Sequence, residues 1–181
     1  MALLLEGQGG KLTDGNVAPG GPAAILAGSG EASCVGTSLP SAVREAMESA
    51  LLDAGVTPAD VGWMALSVGG HPEADRAELE AVRQVFRTPI PCICPKASFG
   101  ETFGAAGILA VAAAILLARA GSLPGLPAGF AKAKDTSALA RTLSEEEHAP
   151  WLLQEAVRVP PGRVLVNSVG EEGATSVVLE V

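Results

Sequence analysis

The chain has 181 residues with 12 Lys+Arg against 20 Asp+Glu, a net charge of −8. That balance excludes the concentrated basic surface that phosphate recognition demands, so no nucleic-acid partner is expected. With 48% hydrophobic and 18% charged residues, the whole span 1–181 reads as one domain with a substantial core rather than a disordered chain.

That core is unusual in kind. Aromatics make up 3%, Tyr is absent and Gly numbers 22, so small residues let the elements approach closely. Three cysteines make no disulfide framework, and none stands at zinc-ligand spacing with the two histidines. The expectation is a reduced, cytoplasmic protein holding neither metal nor cofactor. Met1 to Glu6 has no basic flank and too short an apolar run for a signal peptide.

In chain order, Ala2 to Leu5 is a short apolar run and Gly7 to Gly21 a glycine-rich loop without a P-loop or dinucleotide fingerprint. Ala23 to Ala27 reads as a strand. From Ser41 the apolar residues Val43, Met47, Ala50, Leu51 and Ala54 recur at helical spacing until Gly55. After the turn Thr57 to Asp60, Val61 to Val68 reads as a buried strand, followed by a loop carrying His71, Pro72 and Asp75. Glu78 to Phe86 is a second amphipathic helix and Ile90 to Cys94 a strand.

Thr102 to Ala120 is a small-residue helix, apolar nearly all round, which demands neighbours on most sides. Its longest apolar run, Ala105 to Ala118, falls short of the roughly 20 residues that span a bilayer. A buried helix is therefore expected, with no membrane partner. Glu145 to Glu147 reads as a solvated helix start, with His148 on the same exposed face rather than a metal ligand. Val164 to Ser168 and Ser176 to Val181 form a hairpin-like pair around Gly170, Glu171, Glu172 and Gly173. This order is α/β.

These landmarks carry a resemblance. Ser67-Val-Gly-Gly-His-Pro72, then Asp75, then Glu78-Leu-Glu-Ala81 keeps the spacing of a His-Gly-Thr-Gly-Thr-Pro motif followed by Asp and Glu-Ala-Glu-Ala. Lys96-Ala-Ser-Phe-Gly-Glu101 is similar to Lys-Ser-Asn-Ile-Gly-His before an Ala/Gly-rich helix. Asn167-Ser-Val-Gly-Glu-Glu-Gly173 is similar to Asn-Ser-Phe-Gly-Phe-Gly-Gly before a last strand. In that order, the motifs resemble the C-terminal half of a β-ketoacyl synthase. The resemblance implies half of a thiolase-like fold, a layered α/β arrangement with a mixed five-stranded sheet and a buried Ala-rich helix.

The departures fall on the chemistry. The resemblance implies a nucleophilic cysteine in the first half, which has no counterpart here, and two histidines, whose places are taken by Ser67 and Glu101. Ser67 cannot become cationic, and an ionised Glu101 would repel a developing enolate. His71, four residues after the first histidine position, is a possible substitute or a surface residue. Lys96 matches the family lysine, and Glu101, five residues on, is placed to pair with it and to face the positive end of the following helix. The segment Gly170 to Gly173 matches the gating loop without its aromatics. Cys34, Cys92 and Cys94 are expected to be structural or incidental thiols.

A lone second half would leave its most apolar helix uncovered, and a large uncovered apolar surface marks an interaction site. The expected partner is a ketosynthase-like chain, which this chain would serve as a non-catalytic subunit similar to chain-length factors in fatty acid or polyketide assembly. The alternatives are a divergent acyltransferase or condensing enzyme completed by a partner's cysteine, and a self-associating homodimeric scaffold. An acyl carrier protein, itself acidic, would meet the assembly through the partner.

Overall fold

The computed structural model describes residues 24–125, 153 and 155–181. The readings made on Ala2 to Leu5, Gly7 to Gly21, Glu145 to Glu147 and His148 lie outside the described residues.

Strand β1 (Ile25–Ser33) leads to helix α1 (Leu39–Asp53). The strand is longer than the run Ala23 to Ala27 suggested, because Gly28 and Gly30 are part of it. The helix starts before Ser41, since Ser38 is the cap and its hydroxyl accepts from the Ser41 amide at 3.3 Å. Gly55, at φ 66°, turns the chain out of the helix. A 3₁₀ turn over Pro58–Asp60 leads into β2 (Val61–Ala65).

Helix α2 (Pro72–Val85) begins earlier than expected. Pro72 and Asp75, expected in a loop, belong to the helix: proline suits the first helical turn, where no amide donor is needed, and Glu73 and Asp75 lie at the positive helix end. Strand β3 (Cys92–Ile93) is followed by the short helix α3 (Pro95–Phe99), a 3₁₀ turn over Phe103–Ala105 and α4 (Ala106–Ala120). A two-stranded antiparallel pair unforeseen from the sequence, β4 (Ser122–Leu123) with β5 (Val157–Arg158), precedes the hairpin of β6 (Arg163–Gly170) and β7 (Gly173–Glu180).

The main sheet has five strands in the order β1-β7-β6-β2-β3 and is mixed. Strand β7 is antiparallel to β1 and β6, while β2 runs parallel to β6 and β3. Around β2, β3 and β6 both faces are apolar, which is why β2 and β3 read as nearly unbroken apolar runs. Met64, Leu66, Cys92, Leu165 and Val178 pack toward α1 and α2, whereas Trp63, Ala65, Ile93, Val164, Val166 and Leu179 belong to the core with α4.

The two layers differ in closeness. A Cβ on Gly30 would lie 2.2 Å from the Ala46 carbonyl oxygen, and one on Gly28 2.4 Å from the Ala54 amide nitrogen. The two glycines, two apart on one side of β1, thus bring strand and helix backbones together against the stripe Ala46, Ala50 and Ala54. On the other layer, α4 buries only Ala106, Ala110, Ala112 and Ala114 well, and Ile108 and Leu116 remain open. The stretch Phe103–Ala120 is, by length and composition, apolar enough to cross a membrane, with mean hydropathy 2.0. In this fold its alanine side lies against the sheet.

Candidate functional site

The site lies where β2, β3 and β6 end. Past β2 the chain passes Ser67 and turns at Gly69 and Gly70, and α2 returns two carboxylates to that turn. Asp75 accepts the Gly69 amide at 3.0 Å and the Gly70 amide at 2.8 Å. Glu78, almost fully buried, accepts the Ser67 amide at 2.9 Å and the Asn167 side-chain amide at 3.0 Å on the same Oε1. Asn167 in turn accepts the Ser176 hydroxyl at 2.8 Å. One polar node therefore joins α2, the end of β2, β6 and β7.

Lys96, in the first turn of α3, crosses above that node. Its stem packs on Gly69, where a Cβ would stand 2.6 Å from Lys96 Cδ. Its ammonium meets Glu101 Oε2 at 2.8 Å, with the two side chains 14% and 29% exposed. The other oxygen of Glu101 accepts the Phe103 amide at 2.7 Å. Phe103 has φ 49°, the one positive value among the described non-glycine residues. The pairing of Lys96 with Glu101 that the spacing suggested is thus present.

The electrostatics follow from burial and partners. Burial pushes the Glu78 carboxyl up to about 7, with Asp75 adding repulsion and the Ser67 amide, Asn167 and Lys96 opposing. Asp75 is raised by burial too, against the pull of the Gly69 and Gly70 amides, Lys96 and His71. Burial is the largest influence on Glu101 and would raise it, yet the Lys96 bond and the Phe103 amide together hold it below the usual range.

The remaining expected residues fall around this node. The Ser67 hydroxyl accepts the Val169 amide at 3.1 Å, so it joins the β2 end to the β6 end. His71 is exposed at the cap of α2, where its carbonyl accepts the Asp75 amide at 2.8 Å. Glu171 and Glu172 form the tip of the β6–β7 hairpin between Gly170 and Gly173. Their carbonyls accept Cys34 Sγ at 3.1 Å and the Cys34 amide at 2.9 Å, fastening the tip to the end of β1. Gly173 is required there, because a Cβ would lie 2.2 Å from the Ala32 carbonyl oxygen.

The strand expected over Ile90 to Cys94 is shorter, and Cys94 directly precedes α3, at a strand-to-helix junction that the sequence reading does not give it. Burial nevertheless pushes the Cys92 and Cys94 thiols upward, and Glu78 adds to it, so neither is a ready thiolate. Among the described residues no group of three His, Cys, Asp or Glu is placed to hold a metal. As arranged, the cluster can orient backbone amides and balance charge, and it offers neither a thiolate nor an imidazolium at its centre.

The sequence reading placed Asp75, Glu78 and Asn167 in motifs but gave them no site role. The signal was available: Asp75 and Glu78 fall on the same helical stripe as Leu79, Val82 and Phe86, so the core-facing side of α2 carries two carboxylates.

Residues 24–128 match the β-ketoacyl synthase C-terminal domain family. A non-reducing polyketide synthase of Metacordyceps chlamydosporia is 27% identical over 160 residues, covering 83% of this chain and 8% of that protein. A putative polyketide β-ketoacyl synthase 2 of Streptomyces virginiae is 40% identical over 80 residues, 44% of this chain and 20% of that one. The solved complex of the ketosynthase ApeO with its chain length factor ApeC from Xenorhabdus doucetiae aligns with a TM-score of 0.72 at 26% identity, over 90% of this chain and 40% of the solved chain. The ishigamide ketosynthase/chain length factor shares the fold, with a TM-score of 0.72 at 19% identity, over 88% of this chain and 38% of that one. This chain thus spans well under half of each relative. With a thiolase-like mixed sheet, the three motifs in order and this family match, the chain belongs to the β-ketoacyl synthase family, where it corresponds to the C-terminal half with its active-site motifs altered.

Proposed function

We propose that the chain is a non-catalytic, ketosynthase-like subunit of polyketide or fatty acid type assembly, working against a ketosynthase-like partner that supplies the nucleophilic cysteine. The observation that carries this reading is the open side of α4. Phe99, Phe103, Ile108 and Leu116 are all exposed along α3, the 3₁₀ turn and α4, although this is the most apolar helical stretch described. An apolar face of that kind favours a partner surface over water.

The site supports the same reading. A condensing centre must stabilise negative charge on a thioester oxygen, but here the cationic Lys96 is matched by Glu101 and two more carboxylates stand behind it. Ser67, Lys96 and Glu101 are accordingly motif positions with structural work, and Gly170 to Gly173 is a fastened turn in place of a gate. The likeness to a ketosynthase and chain length factor pair agrees with a heteromeric assembly in the cytoplasm, in which a carrier protein would dock on the partner.

The test is affinity purification of the chain from its host under gentle conditions, with intact mass analysis and acyl loading of the recovered complex. The expected result is a second polypeptide with a ketosynthase-like first half that takes the acyl group on its cysteine, while this chain takes none. Recovery of the chain alone, or as a symmetric dimer, would overturn the reading and favour the scaffold. Acylation of this chain would favour the enzyme.

A further inference from the structure

Lys96 stands between two sets of carboxylates. On the outer side its ammonium bonds Glu101 at 2.8 Å. On the inner side its stem lies on Gly69, whose amide is held by Asp75, and two residues before Gly69 the Ser67 amide is held by Glu78. A four-carbon stem with a compact ammonium is flexible, so it keeps one side only where something holds it there. Glu101 is itself fixed by the Phe103 amide, so the outer station is a built one.

We propose that Glu101 is a positioning residue that holds the Lys96 ammonium at the outer edge of the site and so withholds it from the buried carboxylates of Asp75 and Glu78. The inner carboxylates then depend on neutral donors. Glu78 has the Ser67 amide and the Asn167 side chain, with the Met47 thioether also on Asn167. The charged or titratable groups acting around this pair are Asp75 and Glu78 themselves, Lys96, His71 on the Asp75 side, and the Cys92 and Cys94 thiols. Lys96 is the cation acting on both inner carboxylates, so its location sets how easily they ionise. This inference stands whichever chain covers α4, and its test does not involve a partner.

The experiment is a carboxyl ¹³C NMR titration of Glu78 in the full chain, with the signal assigned by its loss in Glu78→Gln. Four proteins are compared: wild type, Glu101→Gln, Lys96→Met and the double variant, with Lys96→Gln used if Lys96→Met does not fold. Glu101→Gln retains an oxygen for the Phe103 amide. If Glu101 acts through Lys96, Glu101→Gln lowers the Glu78 midpoint by about one pH unit, a tenfold change in proton affinity. In the Lys96→Met background the same substitution then shifts it by less than about a fifth of a unit. An equal shift in both backgrounds, which would mean that Glu101 acts by its own charge, overturns the proposal. So does no shift in the wild-type background.

Discussion

The two faces of the sheet are finished to different degrees. Toward α1 the chain brings backbone against backbone at Gly28 and Gly30, and the helix buries Val43, Met47, Ala50 and Leu51 completely or nearly so. Toward α4 the sheet supplies equally apolar residues, including Trp63, Val164 and Val166, but the helix buries only alanines well there, leaves Val111, Ile115 and Leu117 half-buried and turns Ile108 and Leu116 outward. The difference teaches that apolarity alone does not say which surface is interior to a chain and which awaits another. Placement decides, because Ala110 and Ala114 lie in the sheet core with Val111, Ile115 and Leu117 packed beside them, while Ile108 and Leu116 face away.

The α1 seam should break hardest. Gly30→Val places a Cβ against the Ala46 carbonyl oxygen and the Ala50 amide, neither of which can yield. A loss of about 3 kcal/mol or more is expected in urea denaturation. Gly107→Ala, at the α4 seam, meets only the Ser168 side chain, Oγ at 3.3 Å and Cβ at 3.4 Å, and a change below about 1 kcal/mol is expected there. Comparable losses at both positions would show that the two seams are equally tight.

The polar node beneath the seam should make stability fall with rising pH. The folded Glu78 carboxyl lies at about 7 against 4.5 for the ordinary group. Its contribution is therefore fully present below about pH 4.5 and is lost as pH rises through 7, by on the order of 3 kcal/mol. Asp75, also raised, acts in the same direction. Glu101 is lowered and acts oppositely, its contribution disappearing as pH falls. Denaturation at several pH values should show this slope for the wild type and a flatter one for Glu78→Gln. A profile unchanged by the substitution would remove Glu78 from the account.

Smaller again is the ion pair. Lys96→Met should cost at most about 1 kcal/mol, because the pair is partly open to water and screened. A loss of several kcal/mol would mean that the pair holds the site together.

Much of this was legible in the sequence, for physical reasons. The stripe of α1 and the β6–β7 hairpin follow from periodicity and glycine placement, and the pairing of Lys96 with Glu101 from a five-residue interval ending just before a helix. The half-thiolase arrangement came from three motifs in order. What escaped depended on contacts distant in sequence. The hydrogen bond from Asn167 to Glu78 joins residues 89 apart, and β4 with β5 is too short to carry a pattern. The start of α2 was missed although Pro72 marked it, because His71 and two glycines drew the boundary later. Gly28 and Gly30 lie beyond the strand expected at Ala23 to Ala27, and only the alanines of α1 give them a purpose.

The central claim, that the open side of α4 belongs under a ketosynthase-like partner, is tested most directly by two matched substitutions. Leu116 on α4 and Leu52 on α1 are both exposed, at 62% and 82%, so changing either to Asp should alter the chain's own stability by no more than about 0.5 kcal/mol. Each variant is purified from the host and the mass of its complex compared with that of the wild type. The account predicts that Leu116→Asp loses the ketosynthase-like partner and Leu52→Asp keeps it. Retention of the same partner by Leu116→Asp would contradict the claim.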